Sequence, residues 1–255
     1  SKKHITINSI FHKIGLYDEN TYLCSMNKLV IVGCGRLAEI ITNAVVKGML
    51  PDYELVGVYS RTASKVEHIA NKMRQHGKMC ATCHTLKELL ELKPDYLVES
   101  ASPAAMKELA LPTLENGTSI ITLSIGALAD TSFYEKVKET AKANDTRVYL
   151  VSGATGGFDV LRTTSLMGNA TARFFNEKGP DALKGTSVYK EELQQERRIV
   201  FSGNATEAIN VFPTKVNVSV AASLARTICR YPYSPPLDLQ VILKKWKSKM
   251  NKYTQ

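Results

Sequence analysis

Two short stretches hold the residues best placed for chemistry. Val32-Gly33-Cys34-Gly35-Arg36-Leu37-Ala38 spells G-x-G-x-x-A where an apolar run gives way to a helical pattern. In such a turn the first glycine permits a sharp reversal and the second lets the main chain approach a pyrophosphate. The third small residue lets helix and strand pack closely. The helix start adds unpaired N–H groups and the positive end of its dipole. This reads as a dinucleotide-binding turn, with Gly33, Gly35, Arg36 and Leu37 at the coenzyme. The second stretch, Val58-Tyr59-Ser60-Arg61-Thr62, closes the next strand-like run and contains no acid to hold a ribose 2′-hydroxyl. Ser60 and Thr62 offer hydroxyls to a 2′-phosphate instead, and Arg61 offers a bidentate cation. NADP is therefore expected ahead of NAD.

A third stretch, Cys80-Ala81-Thr82-Cys83-His84, spells C-x-x-C-H. The spacing matches c-type haem attachment and a dithiol redox pair. Both readings fit poorly, since haem attachment requires export and the redox pair belongs at a helix start in a different fold. No second cluster supplies the remaining ligands of a zinc site. Buried thiols and no bound metal are expected.

The elements that must position these residues alternate in type. Apolar runs at 29–32, 54–59, 95–99 and 118–123, with a weaker one at 79–82, read as strands. Between them, 37–48, 63–75, 85–92 and 103–116 carry helical spacing. Ser102-Pro103 starts the last of these helices and Asn116-Gly117 stops it. This alternation predicts an α/β chain with a Rossmann-type, doubly wound parallel sheet. Further on the pattern is less regular. A helix over 131–143, a strand over 147–151, a glycine-rich turn at 152–157 and a helix from about 158 are expected. Short strands at 187–190 and 198–202 and a helix over 218–229 follow, as a second, smaller α+β domain. The expected divisions are an N-terminal extension (1–27), a dinucleotide-binding domain (28–130), a truncated substrate and dimerisation domain (131–230) and a basic divergent tail (231–255). In the tail, 237–253 is a Lys-rich amphipathic segment, expected to fold its apolar side back on the body.

Composition narrows the class. Of 255 residues, 44% are hydrophobic and 22% charged, too apolar for a disordered chain. No stretch approaches the roughly 20 apolar residues of a membrane span, and polar residues interrupt the N-terminus too often for a secretory signal. The five cysteines, an odd number scattered along the chain, suit reduced thiols in the cytoplasm. Nearly all of the formal net charge of +9 sits in residues 1–28 and 226–255, so the body is close to neutral. Neither a nucleic-acid partner nor a membrane partner is expected.

Four further segments carry a family resemblance: Val98-Glu99-Ser100-Ala101-Ser102-Pro103, Leu123-Ser124-Ile125-Gly126-Ala127-Leu128-Ala129-Asp130, Val151 to Asp159, and Glu207 to Pro213 followed by Val216-Asn217-Val218. In order and spacing, over about residues 28–227, they resemble the L-aspartate dehydrogenase family. A homoserine-dehydrogenase-like enzyme does not account for the second and third segments together. The resemblance implies NAD(P)-dependent oxidation of L-aspartate to iminoaspartate, which hydrolyses to oxaloacetate and ammonia or feeds pyridine nucleotide biosynthesis. It also implies a homodimer. It places Ala101, Ser102, Ala154 and Asn217 at the coenzyme and Ser124, Gly126 and Ala127 along the substrate cleft. Arg162 and Lys215 are cationic candidates for the substrate carboxylates. The family's catalytic histidine lies about thirty residues beyond the asparagine matched by Asn217. Here the five histidines all precede residue 85, and 237–255 is rich in lysine instead. No catalytic residue is therefore assigned, and a non-catalytic NADP-binding or dimerising relative is the alternative.

Overall fold

The strand β1 (Asn27–Val32) shows why the first half folds as it does. Leu29 and Ile31 are buried in one apolar cluster and Val30 and Val32 in another. A strand covered on both faces reads as a continuous apolar run, as parallel strands between two helical layers do. The computed structural model describes residues 26–153, 155–167, 173–195, 198–212, 217–227 and 238–243.

Around β1 lie α1 (Arg36–Val46), β2 (Tyr53–Tyr59), α2 (Ala63–Gln75), β3 (Ala81–Cys83), α3 (Leu86–Glu91), β4 (Tyr96–Glu99), α4 (Pro103–Glu115), β5 (Ser119–Thr122), α5 (Thr131–Ala143) and β6 (Val148–Leu150). A 3-10 turn, Ile125–Ala129, joins β5 to α5. The six strands pair in parallel in the order β3-β2-β1-β4-β5-β6. The connections reverse direction between β1 and β4, so their outgoing loops diverge and open a crevice at the carboxyl ends. The strand expected over 147–151 in the second unit is β6 (Val148–Leu150). Its pairing with β5 (Ile121↔Tyr149) instead carries the first sheet past Asp130 to Leu150.

The remaining described elements are α6 (Phe158–Leu166), β7 (Arg173–Lys178), β8 (Ile199–Asn204), α7 (Ala205–Val211), α8 (Asn217–Thr227) and β9 (Asp238–Leu243). Their sheet has the order β7-β9-β8, with β9 parallel to β7 and antiparallel to β8. Two expectations change here. Residues 238–243, read as part of an amphipathic tail, form the middle strand, because β7 and β8 offer a pairing edge on each side. Residues 187–190 are not a strand. They form a turn, closed by Tyr189 N–H donating to the Thr186 carbonyl (3.2 Å), that leads into a 3-10 segment at Glu191–Gln194.

The core does not stop between the sheets. Leu183, Leu193, Ala208, Phe212 and Val220 are buried in the same cluster as Leu97, Met106, Ile120 and Ile125. Leu97, at the centre of this packing, is fully buried. Leu97→Ala should therefore destabilise the protein by about 2–5 kcal/mol in denaturant titration. Met49→Ala, at a position 68% exposed, should change stability by less than about 0.5 kcal/mol.

Candidate active site

The crevice begins at Gly33, whose φ of +94° suits a residue without a Cβ. Its N–H donates to the Tyr59 carbonyl (2.8 Å), and its own carbonyl accepts from the Ser100 hydroxyl (2.7 Å). A Cβ at Gly33 would lie 2.7–2.8 Å from the Ala101 main chain and methyl, so only glycine lets the two loops close together. Gly35 has open space where its side chain would be, and no side chain caps α1 behind it. The first N–H groups of α1 are left for a ligand to satisfy.

Gly33, Gly35, Ser60, Arg61, Ala101 and Ser102 line one cleft of about 350 Å³. Among the described residues no hydrogen bond or ion pair engages the Arg61 guanidinium. Arg36 and Leu37 open α1 on the outside, both exposed and neither lining the cleft.

Behind the cleft stands a residue the motif reading left without a role. Glu99, the last residue of β4, is completely buried. Its Oε1 accepts from the N–H groups of Ala101 (2.8 Å) and Ser102 (3.0 Å) and from the Ser124 hydroxyl (2.9 Å). Its Oε2 accepts from the Thr122 hydroxyl (2.8 Å) and the Ser124 N–H (3.1 Å). Three of these five partners are main-chain N–H groups, which can only donate, so the pocket is complementary to a carboxylate. The available signal was an acid ending an otherwise apolar strand and followed by Ser-Ala-Ser.

The turn beyond Ser124 is pinned twice more. Gly126 N–H donates to Asn217 Oδ1 (2.9 Å), while Asn217 Nδ2 donates to the Leu123 carbonyl (3.3 Å). Asn217 thereby fastens the start of α8 to the loop after β5, across about ninety residues of chain. At the other end, Asp130 caps α5 by accepting from Phe133 N–H (3.2 Å) and pairs with Lys107 (2.8 Å). The hydrogen bond from Lys107 holds the Asp130 carboxyl below its ordinary range. Ser124 and Ala127 are buried; the Ser124 hydroxyl faces Glu99, and Ala127 belongs to the core.

Arg162, with Asp159 on the same helix α6, lines a second cavity of about 350 Å³ between β6, α6 and α8. Ala154 and Lys215 lie outside the described residues. Burial is the main force raising all three thiols in this region, pushing Cys34 up to about 11 and Cys80 up to about 12, with Cys83 also raised. They are thiols, not thiolates, at neutral pH and so weak nucleophiles. Among the described residues, no group of three His, Cys, Asp or Glu side chains is arranged around a metal position, and no helix is long and apolar enough to cross a membrane.

Comparison with known proteins agrees with this geometry in both halves. Residues 33–151 match the family model described as homoserine dehydrogenase, NAD binding domain, and residues 159–230 match aspartate dehydrogenase, C-terminal. The L-aspartate dehydrogenase of Methanococcus maripaludis strain C6 is 33% identical over 211 residues, covering 81% of this chain and 76% of that protein. That of Methanocaldococcus jannaschii is 34% identical over 205 residues, covering 78% and 74%. The chain belongs to the L-aspartate dehydrogenase family. Its fold also matches the crystal structure of aspartate dehydrogenase from Thermotoga maritima, with a TM-score of 0.64 at 23% identity over 86% of this chain and 79% of that one. The family therefore accounts for both the NAD-binding half and the second unit docked on it through Asn217.

Gly33→Ala tests the close approach at the cleft. The added methyl meets main chain, and the positive φ strains any side chain. NADPH affinity should fall at least about tenfold in fluorescence titration, the loss expected if even ~1.4 kcal/mol of the strain reaches the bound state.

Proposed function

We propose that this protein oxidises L-aspartate to iminoaspartate with NADP as its preferred coenzyme. The single observation supporting that preference is Arg61, which lines the cleft beside Ser60 at the exit of β2, where the sequence has no acid. The balanced reaction takes L-aspartate and NADP to iminoaspartate, NADPH and a proton. Hydrolysis of the imine then yields oxaloacetate and ammonia.

When bound, the coenzyme supplies the hydride-accepting ring; the chain's own residues bind and orient. The glycine turn fits a pyrophosphate, because Gly33 closes against Ala101 while the Gly35 side stays open. Ser60 and Arg61 would hold the 2′-phosphate. The turn from Ser124 to Ala127 is braced by Glu99 and Asn217, and its half-buried Gly126 would be the part nearest the amino acid. Arg162 supplies a cation for one of the two substrate carboxylates, and orienting groups of this kind contribute by converting encounter into a fixed geometry.

The substrate assignment is supported by the family. The same reading makes the protein a cytoplasmic homodimer that engages neither nucleic acid nor membrane. A non-catalytic role is not favoured, because the identity to dehydrogenases extends through both units.

Two measurements test the proposal. Addition of L-aspartate to protein and NADP should produce an absorbance rise at 340 nm, and no aspartate-dependent rise would contradict it. NADPH should bind more tightly than NADH, and Arg61→Ala should narrow that gap by about 1–3 kcal/mol, the range for a charge-assisted pair.

A further inference from the structure

The C-x-x-C-H stretch has no role in the site as described so far. Its cysteines are shielded, but His84 is exposed at the exit of β3. There it helps line a pocket of about 150 Å³ with Ser60 and Arg61 from the exit of β2 and Ala63 and Glu67 from the start of α2. Tyr59, Ser60 and Arg61 belong to this pocket and to the main cleft alike, so the two spaces adjoin at the residues assigned to the 2′-phosphate.

We propose that His84 is a second ligand of the 2′-phosphate, facing Arg61 across this pocket, and that its protonation sets how strongly the protein prefers NADP(H) over NAD(H). The inference rests on the NADP reading above and adds to it a residue and a pH dependence.

The surrounding charges explain why an imidazole would matter here. Arg61 contributes a cation from β2, and Lys65, on α2, lines the adjoining cleft. Glu67 lines the pocket from α2. Glu88, on α3, accepts from the His84 main-chain N–H (2.9 Å) and from the Thr85 hydroxyl (3.1 Å). Those bonds, the main-chain one first, hold the Glu88 carboxyl below its ordinary range. Cys83, beside His84, stays a neutral thiol, its ionisation raised first by burial. Two carboxylates thus oppose an incoming phosphate and offset the fixed cations. Imidazole is the side chain whose ordinary titration lies between about pH 5 and 8. Protonated, His84 adds a cation and a second N–H donor; neutral, it leaves Arg61 and Lys65 balanced by the acids.

The sign of the effect follows. With an imidazole as second ligand, acidification should strengthen NADPH binding relative to NADH. Protonation of the phosphate itself, with its second ionisation near about pH 6, works in the opposite direction. A preference that rises on acidification therefore cannot come from the phosphate.

Fluorescence titrations of NADPH and NADH at pH 6.5 and 8.5 test this on the intact protein, His84→Gln, His84→Lys and Arg61→Ala. The NADPH:NADH affinity ratio of the unmodified protein should be about three- to tenfold larger at pH 6.5, the scale of one partly exposed charge-assisted contact. His84→Gln should abolish that rise and lower the ratio at pH 6.5. His84→Lys, permanently charged, should keep the ratio high at pH 8.5. A ratio independent of pH in the unmodified protein, or a pH dependence unchanged in His84→Gln, would overturn the role of His84. If the ratio then still favours NADPH and falls in Arg61→Ala, the NADP reading survives that failure. A ratio near one at both pH values would remove both.

Discussion

One buried carboxylate organises the floor of the crevice. Glu99 has no contact with solvent, yet it receives four hydrogen bonds from two loops and a fifth from Thr122 at the end of β5. Ala101 and Ser102 belong to the loop between β4 and α4, and Ser124 to the loop after β5. An isolated charge in such a place would be strongly unfavourable, and an unpaired buried N–H would also be costly. Each side satisfies the other, so neither loop can move away without exposing the other's deficit. The two walls of the crevice are held in register by electrostatics at a position where apolar packing cannot reach the loop main chain.

The other contacts extend from this point. Ser100 and Ala101, next to Glu99, set the surface against which Gly33 closes. Ser124 begins the turn whose Gly126 is held by Asn217, so the second unit is fastened to the same loop. The core running from Leu97 through Ile125 to Phe212 supports the arrangement from below. The cleft and the turn after β5 are therefore parts of one braced structure. The exits of β2 and β3, where Arg61 and His84 are exposed, lie outside this network of contacts.

Much of this architecture was legible in the sequence because local signals agreed with tertiary ones. The run Leu29–Val32, the glycines at 33 and 35, the Ser102-Pro103 start and the Asn116-Gly117 stop each have a local physical meaning that the fold preserves. The second sheet was harder to read. Strands β7 and β9 lie about sixty residues apart, and what makes 238–243 a strand is a pair of neighbours that no local pattern reveals. Tyr149 looked like part of the second unit for the same reason, since sheet membership is decided by pairing with β5. Glu99 was visible as a residue but not as a hub, because three of its partners are main-chain groups that any sequence would supply.

The account turns on Glu99 holding both loops at once, and amide hydrogen exchange followed by NMR tests this directly. Because the N–H groups of Ala101, Ser102 and Ser124 all donate to one carboxylate, they should open together, with matching protection in the unmodified protein. All three should lose protection in Glu99→Gln, whose amide would turn two donors towards a group of donors. If Ser124 exchanged independently of Ala101 and Ser102, and the substitution left either loop protected, the two walls would not be joined through this carboxylate.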